Sequence, residues 1–474
     1  MNEHEKILKE VLAYIKPKAE EKKKLVNLAK KALEIANEEA KKIGGKAILA
    51  GSVTRDTWLP DKMEFDVFVL LPPNLSEKKL EEFGLVIGKT VIEKLKGKYK
   101  IEYAQHPYVS GEIEGIEVDI VPCYEVKSPE KIKSAVDRTP FHVKYVEKNL
   151  LPAMSNEVRL LKQFLKANEI YGADAKTQGF SGYLCELLII YYKKFIELLK
   201  NAVNWVPGEI IDIEGYYKKS EYKKLRKKFK DQPLIVIDPV DKNRNVAAAV
   251  SAQSFYIFKK IAKEFLVNPS GKLFFPREIK PITENELIIY QMKRRTELIL
   301  LKFKAPQVVP DILWPQLRRC ADRLEKILRE NEFVVLRKDV YTNEKDLAIV
   351  LFEMEVSKLP IIQKRVGPKI FNLEDSGRFL KKYKEEALVG PFIENNCWCV
   401  EVRRRFLTAR EKLLDSLSKD EKILKAKGIP NYIAQEISKG FELICETEKI
   451  MELVKKDKNF GRFLRKYFEK ESLI

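Results

Sequence analysis

One short stretch constrains this chain more than any other. The small-residue turn Gly51-Ser52 follows directly on an apolar run, 47–50, and Glu64-Phe65-Asp66 then opens a second apolar run with Val67, Phe68 and Val69. That second run reads as a buried strand. Residues two apart on a strand share a face, so Glu64 and Asp66 point the same way. Two close carboxylates repel each other unless a cation sits between them. Mg²⁺ suits such a pair, because it takes hard oxygen ligands and keeps substrate phosphates and water in its shell. The Gly-Ser turn leaves backbone N–H groups for an anion. A phosphate grip and a metal grip in one segment imply a nucleotide-handling site.

A second acidic strand lies downstream. Gly115-Ile-Glu-Val-Asp-Ile-Val121 alternates Ile116, Val118 and Ile120 on one face with Glu117 and Asp119 on the other. Gly-Ser followed by acid-x-acid in an apolar strand resembles the signature of the polymerase-beta-type nucleotidyltransferases. That resemblance makes Asp119 the third carboxylate. It implies two metal ions between Glu64, Asp66 and a triphosphate, with Asp119 helping to activate an attacking hydroxyl.

Charge narrows the partner. Lys+Arg 89 against Asp+Glu 70 leaves +19, which favours a polyanion, and a large nucleic acid fits better than a small anion. The bland alternative is a Lys/Glu-rich surface of a heat-adapted protein, which raises both charges without requiring an excess of one. The six cysteines form no C-x-x-C pair, as expected of reduced thiols in a cytoplasmic chain. Only His4, His106 and His142 are present, which argues against a His-rich zinc site. The charged N-terminus has no apolar signal core. The most apolar helix, 183–192, contains Glu186 and is too short to span a bilayer, so the expectation is a soluble protein without membrane association.

Along the chain, residues 2–43 are helical in pattern, interrupted at Pro17 and stopped at Gly44-Gly45. A helix over 75–95, a strand from Tyr99 and a hairpin over 108–122 follow, the hairpin delivering Asp119. Residues 149–262 read as mainly helical, with Arg244 opening a helix over 246–261 and Asp238 and Asp241 capping that loop. The run 220–231 is strongly basic, and is either a solvated face or a contact for an RNA backbone. From Asn268 a Pro- and Gly-bearing stretch marks a boundary. Beyond it come a strand (297–303), a helix (314–331), two strands (333–336 and 347–354) and a hairpin (392–406) ending in Arg403-Arg404-Arg405. A helical tail starts at Ser416. The strand–helix–strand–strand order is compatible with an RNA-recognition-like sandwich that lacks that module's aromatic motif. The expected fold class is thus α+β and multidomain. Residues 1–148 form a catalytic head with a mixed sheet, 149–262 a helical central domain and 263–474 a C-terminal α+β body and tail.

The series Arg55-Asp-Thr-Trp-Leu59, Asp137-Arg-Thr-Pro-Phe-His142, Asn156-Glu-Val-Arg-Leu-Leu-Lys-Gln-Phe-Leu165, Tyr171-Gly172, Gly179-Phe-Ser-Gly-Tyr-Leu-Cys-Glu-Leu187 and Asp238-Pro-Val-Asp241 with Arg244-Asn245 resembles the archaeal (class I) CCA-adding enzymes. These are tRNA nucleotidyltransferases that build the 3′ CCA end without a template. The match is dense over 45–255. The resemblance implies Glu64, Asp66 and Asp119 as metal ligands, Ser52, Arg55, His142, Lys162 and Tyr171 as nucleotide contacts, and Arg244 in the pocket that accepts C and A. Glu64 stands where many nucleotidyltransferases carry Asp, and either residue can ligate Mg²⁺.

Each carry-over has an ordinary alternative. Ser52 and Arg55 suit a turn and a surface ion pair, and His142 after Pro-Phe suits a packed or capping residue. Lys162 suits a solvated helix face, and Tyr171 an interface aromatic. The resemblance implies CTP, ATP and tRNA as partners, with the C-terminal half clamping the acceptor stem and T-arm. A poly(A) polymerase shares the head and the three acids. A non-catalytic RNA-binding scaffold is the reading from another class, and the intact acids speak against it. Homodimerisation through the C-terminal half has no motif behind it.

Overall fold

The computed structural model describes residues 3–103 and 105–473. The chain divides into two compact units, with the boundary between Glu278 and Ile279. In the first unit, Pro17 separates helices α1 (Glu3–Ile15) and α2 (Ala19–Lys41). Strand β1 (Lys46–Ala50) then pairs antiparallel with β2 (Glu64–Leu71). Helix α3 (Glu77–Lys94) leads to β3 (Lys98–Tyr103), β4 (Pro107–Ile113) and β5 (Ile116–Tyr124). The sheet order is β1-β2-β5-β4-β3. Only β2 and β5 run parallel in it, so the sheet is mixed, as expected.

Glycines set the spacing of α3 on this sheet. A Cβ at Gly84 would meet Pro122 at 2.5 Å, and one at Gly88 would meet Val109 at 2.6 Å. The helix therefore lies closer to the sheet than side chains at those positions would permit. Phe65, Val67, Val69, Val109, Val118 and Ile120 bury under α2 and α3, which leaves the opposite face of β2 and β5 to the acids.

A second apolar core gathers α4 (Thr139–Asn149), α5 (Ser155–Ala167), α6 (Gly182–Tyr192), α7 (Phe195–Ala202) and α9 (Ala252–Val267), together with Leu273 and Phe274. Both cores lie within one compact unit, and the second also takes Val11 and Ile15 of α1.

The helical part also carries a sheet that the helical pattern hid. Strand β6 (Glu209–Asp212) pairs parallel with β7 (Leu234–Asp238), which pairs antiparallel with β8 (Asp241–Asn245); the basic helix α8 (Tyr222–Lys228) lies between β6 and β7 in sequence. Arg244 therefore sits on β8 and does not open a helix, which corrects the expectation. The ladder continues past it, because the Val246 N–H donates to the Val236 carbonyl at 2.8 Å. The Asn245 side chain accepts from Val236 N–H and Ala247 N–H as well. Helix α9 starts only after Ser251, whose hydroxyl caps Ser254 N–H at 3.1 Å.

In the second unit, α10 (Glu284–Arg294) precedes β9 (Glu297–Phe303), α11 (Pro310–Arg329), β10 (Val334–Thr342) and β11 (Ala348–Val356), the strand–helix–strand–strand order expected. Then come β12 (Ile362–Lys369), α12 (Leu373–Tyr383) and the hairpin of β13 (Val389–Glu394) with β14 (Cys397–Arg403). The tail is α13 (Ala409–Leu417), α14 (Glu421–Ala426), α15 (Asn431–Lys439), β15 (Phe441–Ile444), α16 (Thr447–Lys456) and α17 (Lys458–Phe468). It is not wholly helical: β15 closes the sheet β10-β11-β9-β15 by pairing with β9. A separate sheet has the order β12-β14-β13. Among the described residues, no helix is long and apolar enough to cross a membrane.

Candidate active site

Register decides whether the three acids meet. Strands β2 and β5 run side by side with Asp66 opposite Asp119 and Glu64 opposite Glu117. Alternation places all four carboxylates on the face away from α3. The Gly51-Ser52 turn lies beside them. Gly51 has φ +76°, and a Cβ there would collide with an Asp66 carboxylate oxygen. Glycine is required both for the left-handed backbone and for that close approach. Ser52 is half-buried on this turn, which its carbonyl closes by accepting from Thr57 N–H at 3.0 Å.

The corner is short of positive charge. Burial, and then the charges of Asp119 and Glu64, push the Asp66 carboxyl up to about 7, against the opposing pull of Lys62 and Arg55. Asp119 is also raised, first by burial and then by Glu64 and Glu117, while Ser110 across the β4–β5 ladder donates to it. Glu64 reaches outward to Lys62 at 2.5 Å, and Lys62 also stands 3.6 Å from Glu117. Both partners in each pair are well exposed to water, so these pairs are weak. Asp66 and Asp119, both raised and only partly offset by Lys62 and Arg55, with Glu64 beside them, are the donor set a hard divalent cation matches.

A second cluster adjoins the turn. Arg55 grips Glu186 with Nε at 3.1 Å and a terminal nitrogen at 3.0 Å. Thr57 Oγ1 donates to the same carboxylate at 2.8 Å. Lys162 is buried, its ammonium donating to the Thr57 carbonyl at 3.1 Å and hydroxyl at 3.3 Å. Burial lowers its pKa, while Glu186 pulls the other way. The ordinary reading of Lys162 as a solvated residue is excluded. A Cβ on Gly182, the first residue of α6, would stand 3.2 Å from the Tyr171 hydroxyl and 3.7 Å from the Lys162 ammonium. The first turn of α6 thus brings Lys162 and Tyr171 together.

The other side of that turn faces a third cluster. Asp238 is fully buried and lies 2.9 Å from His142 Nε2. It accepts from Arg244 at 2.7 Å and from the Tyr183 hydroxyl at 3.3 Å. The His142 ring stacks on Tyr183 with centroids 4.2 Å apart. Arg138 reaches Asp241 at 3.2 Å. These aspartates act mainly as cross-element anchors rather than as caps, although each also accepts a bond from a backbone N–H two residues on. Arg138, Asp241, Asn243 and Arg244 line a cleft of about 640 Å³.

Sequence reasoning missed Lys62, Ser110, Glu186 and Tyr183. Glu186 left a usable signal: a lone charge in an otherwise apolar helix must be paired when that helix is buried.

Residues 29–142 match the family profile described as a nucleotidyltransferase domain, 156–275 the second domain of tRNA nucleotidyltransferase, and 294–446 the C-terminal domain of CCA-adding enzyme. The chain is 45% identical over 388 residues to the CCA-adding enzyme of Methanocaldococcus jannaschii, covering 80% of this chain and 84% of that one. It is 39% identical over 408 residues to that of Archaeoglobus fulgidus, covering 86% and 88%. Against that of Methanosarcina mazei it is 36% identical over 462 residues, covering 96% and 97%. With acids, turn and clusters placed as above and such identity over most of its length, the chain belongs to the archaeal CCA-adding enzymes.

Proposed function

We propose that this chain adds or repairs the 3′-terminal CCA of tRNA without a nucleic-acid template, using CTP twice and ATP once and releasing pyrophosphate. The observation that carries the reading is Asp66 opposite Asp119, beside the Gly51 turn and short of compensating charge. In each cycle a bond forms between the RNA 3′ oxygen and the alpha phosphorus. The bond from that phosphorus to the beta-phosphate oxygen breaks, and the hydroxyl proton is lost.

Mg²⁺ held by Glu64, Asp66 and Asp119 would neutralise the triphosphate and acidify the attacking hydroxyl. The chain's own residues supply alignment. Ser52 and the N–H groups of its turn hold phosphate oxygens. Arg55, fixed by Glu186, presents a pre-oriented guanidinium. Lys162 and Tyr171 extend the grip at the start of α6. Binding the triphosphate in line with the 3′ hydroxyl removes much of the entropic cost of the encounter.

Asp238 orients Arg244 at the base pocket. Cytosine and adenine each present a bare ring nitrogen on the Watson–Crick edge, whereas uracil and guanine present an N–H there. A donor-only guanidinium therefore accepts the first two bases and rejects the others. The exposed lysines of α8 supply sequence-independent backbone contact. Six unpaired cysteines accord with a cytoplasmic setting.

The test offers each nucleotide singly, and CTP with ATP, to tRNA lacking CCA. Two additions from CTP alone and completion only with ATP are expected. Long tails from ATP alone would establish the poly(A) polymerase reading in its place.

A further inference from the structure

The face of the head sheet opposite the catalytic acids carries a cluster with no part in the chemistry above. Glu77 and Glu81 stand one turn apart at the start of α3 and so share a face. His106, immediately before β4, lies under them with a side chain only 3% exposed. Its Nδ1 is 3.5 Å from Glu77 Oε1 and 3.6 Å from Glu81 Oε1. Neither ring nitrogen has a hydrogen-bond partner among the described residues. One ligand atom from each of the three side chains falls within 4.8 Å of the others.

Two features separate this arrangement from an acidic surface cluster. A buried imidazole with both nitrogens unpaired is costly, and here it is aimed between two carboxylates. The separations are also too long for hydrogen bonds. They match the spacing of two ligands on a tetrahedral ion instead: bonds of about 2.1 Å to nitrogen and oxygen place such ligands about 3.4 Å apart. The Tyr124 ring stands nearly perpendicular to the imidazole, with centroids 6.5 Å apart. Tyr124 is five residues from Asp119 on β5, so the two side chains leave opposite faces of the strand. The cluster is therefore distinct from the nucleotide corner.

We propose that Glu77, Glu81 and His106 form a binding site for a divalent transition cation of the Zn²⁺ class, with solvent completing the coordination. Imidazole with carboxylate is a donor set such ions take, and Mg²⁺ seldom accepts nitrogen. The ion joins the first turns of α3 to the start of β4, a structural staple on the catalytic head.

The chain has three histidines, so histidine-selective isotope labelling of the full-length, metal-stripped protein yields a readable NMR signal set, assigned with His4→Gln and His142→Gln. Titration with Zn²⁺ is expected to move the His106 signal alone, saturating at one ion per chain. The Glu77→Gln, Glu81→Gln double variant changes one exposed and one half-buried side chain and keeps their size. It is expected to lose that response while keeping the unfolding temperature of the metal-stripped parent and its CTP incorporation. Three results would each overturn the site: no histidine signal moving, only His142 moving, or the His106 response persisting in the double variant. A His106 signal that moves with acid but not with Zn²⁺ would show a protonated imidazole paired to two glutamates, and would overturn it equally.

Discussion

Two strand carboxylates, half-buried Asp66 in one compact unit and fully buried Glu353 in the other, show how surroundings divide a reactive group from a structural one. Asp66 in the first unit is placed among Asp119 and Glu64 and is pushed up to about 7. Glu353 in the second unit is fully buried on β11, where burial alone would raise it. Bonds from Arg294 (2.6 Å), Thr296 (2.7 Å), Tyr467 (3.0 Å) and Arg337 (3.1 Å) outweigh that and hold it at about 2. Both are acids on central strands. One has its compensating donors built into the chain, and the other depends on a cation brought from outside.

The largest expected effect tests the open acid. Asp66→Asn and Asp119→Asn should each lower the rate of CTP incorporation roughly 10³-fold, the worth of about 4 kcal/mol of transition-state charge stabilisation. A loss below tenfold would place the chemistry elsewhere.

The closed acid comes next. Glu353→Gln strands two arginines and should cost about 3 kcal/mol, read by amide exchange across β9 and β11. The pH dependence follows in sign. A carboxyl whose folded pKa lies below its ordinary 4.5 contributes stability above 4.5, and loses it as pH falls towards about 2. The parent should therefore weaken through that window more steeply than Glu353→Gln.

Asp66 should behave in the opposite sense. Its folded pKa lies above the ordinary 3.8, so the folded state binds more protons between 3.8 and about 7, and stability falls as pH rises through that range. In chelator at pH 8, Asp66→Asn should be more stable than the parent by on the order of 2 kcal/mol, and the gap should close on acidification towards pH 4. A parent more stable than the variant at pH 8 would show that the corner already holds its compensating charge.

The smallest effect extends the contrast to cations. Arg404 pairs with Glu332 and its side chain is 14% exposed, whereas Arg403 is exposed. Arg403→Ala should lower the salt slope of tRNA binding by about 1. Arg404→Ala should lower stability and leave the slope nearly unchanged. The reverse outcome would exchange their roles.

Much of this was legible before the fold. The alternation of Glu64, Asp66, Glu117 and Asp119 with apolar neighbours determined two strands and the face each acid takes, because period-two patterning acts within a single strand. Gly51-Ser52 announced a turn for the same local reason, and the structure showed that Gly51 is left-handed there. Helices α1, α2, α3 and α11 followed from stripes and breakers. The strands β6, β8 and β15 did not, because each is only four or five residues long, too short to show a period, and β15 takes its ladder partner from β9, more than a hundred residues earlier. Tertiary structure alone decided that Asp119 stands opposite Asp66 rather than one residue out of register. It alone joined His142, Tyr183 and Arg244 on Asp238, and set His106 beneath Glu77 and Glu81. Register and long-range pairing depend on the free energy of the whole packed sheet and core, to which no window of neighbouring residues has access.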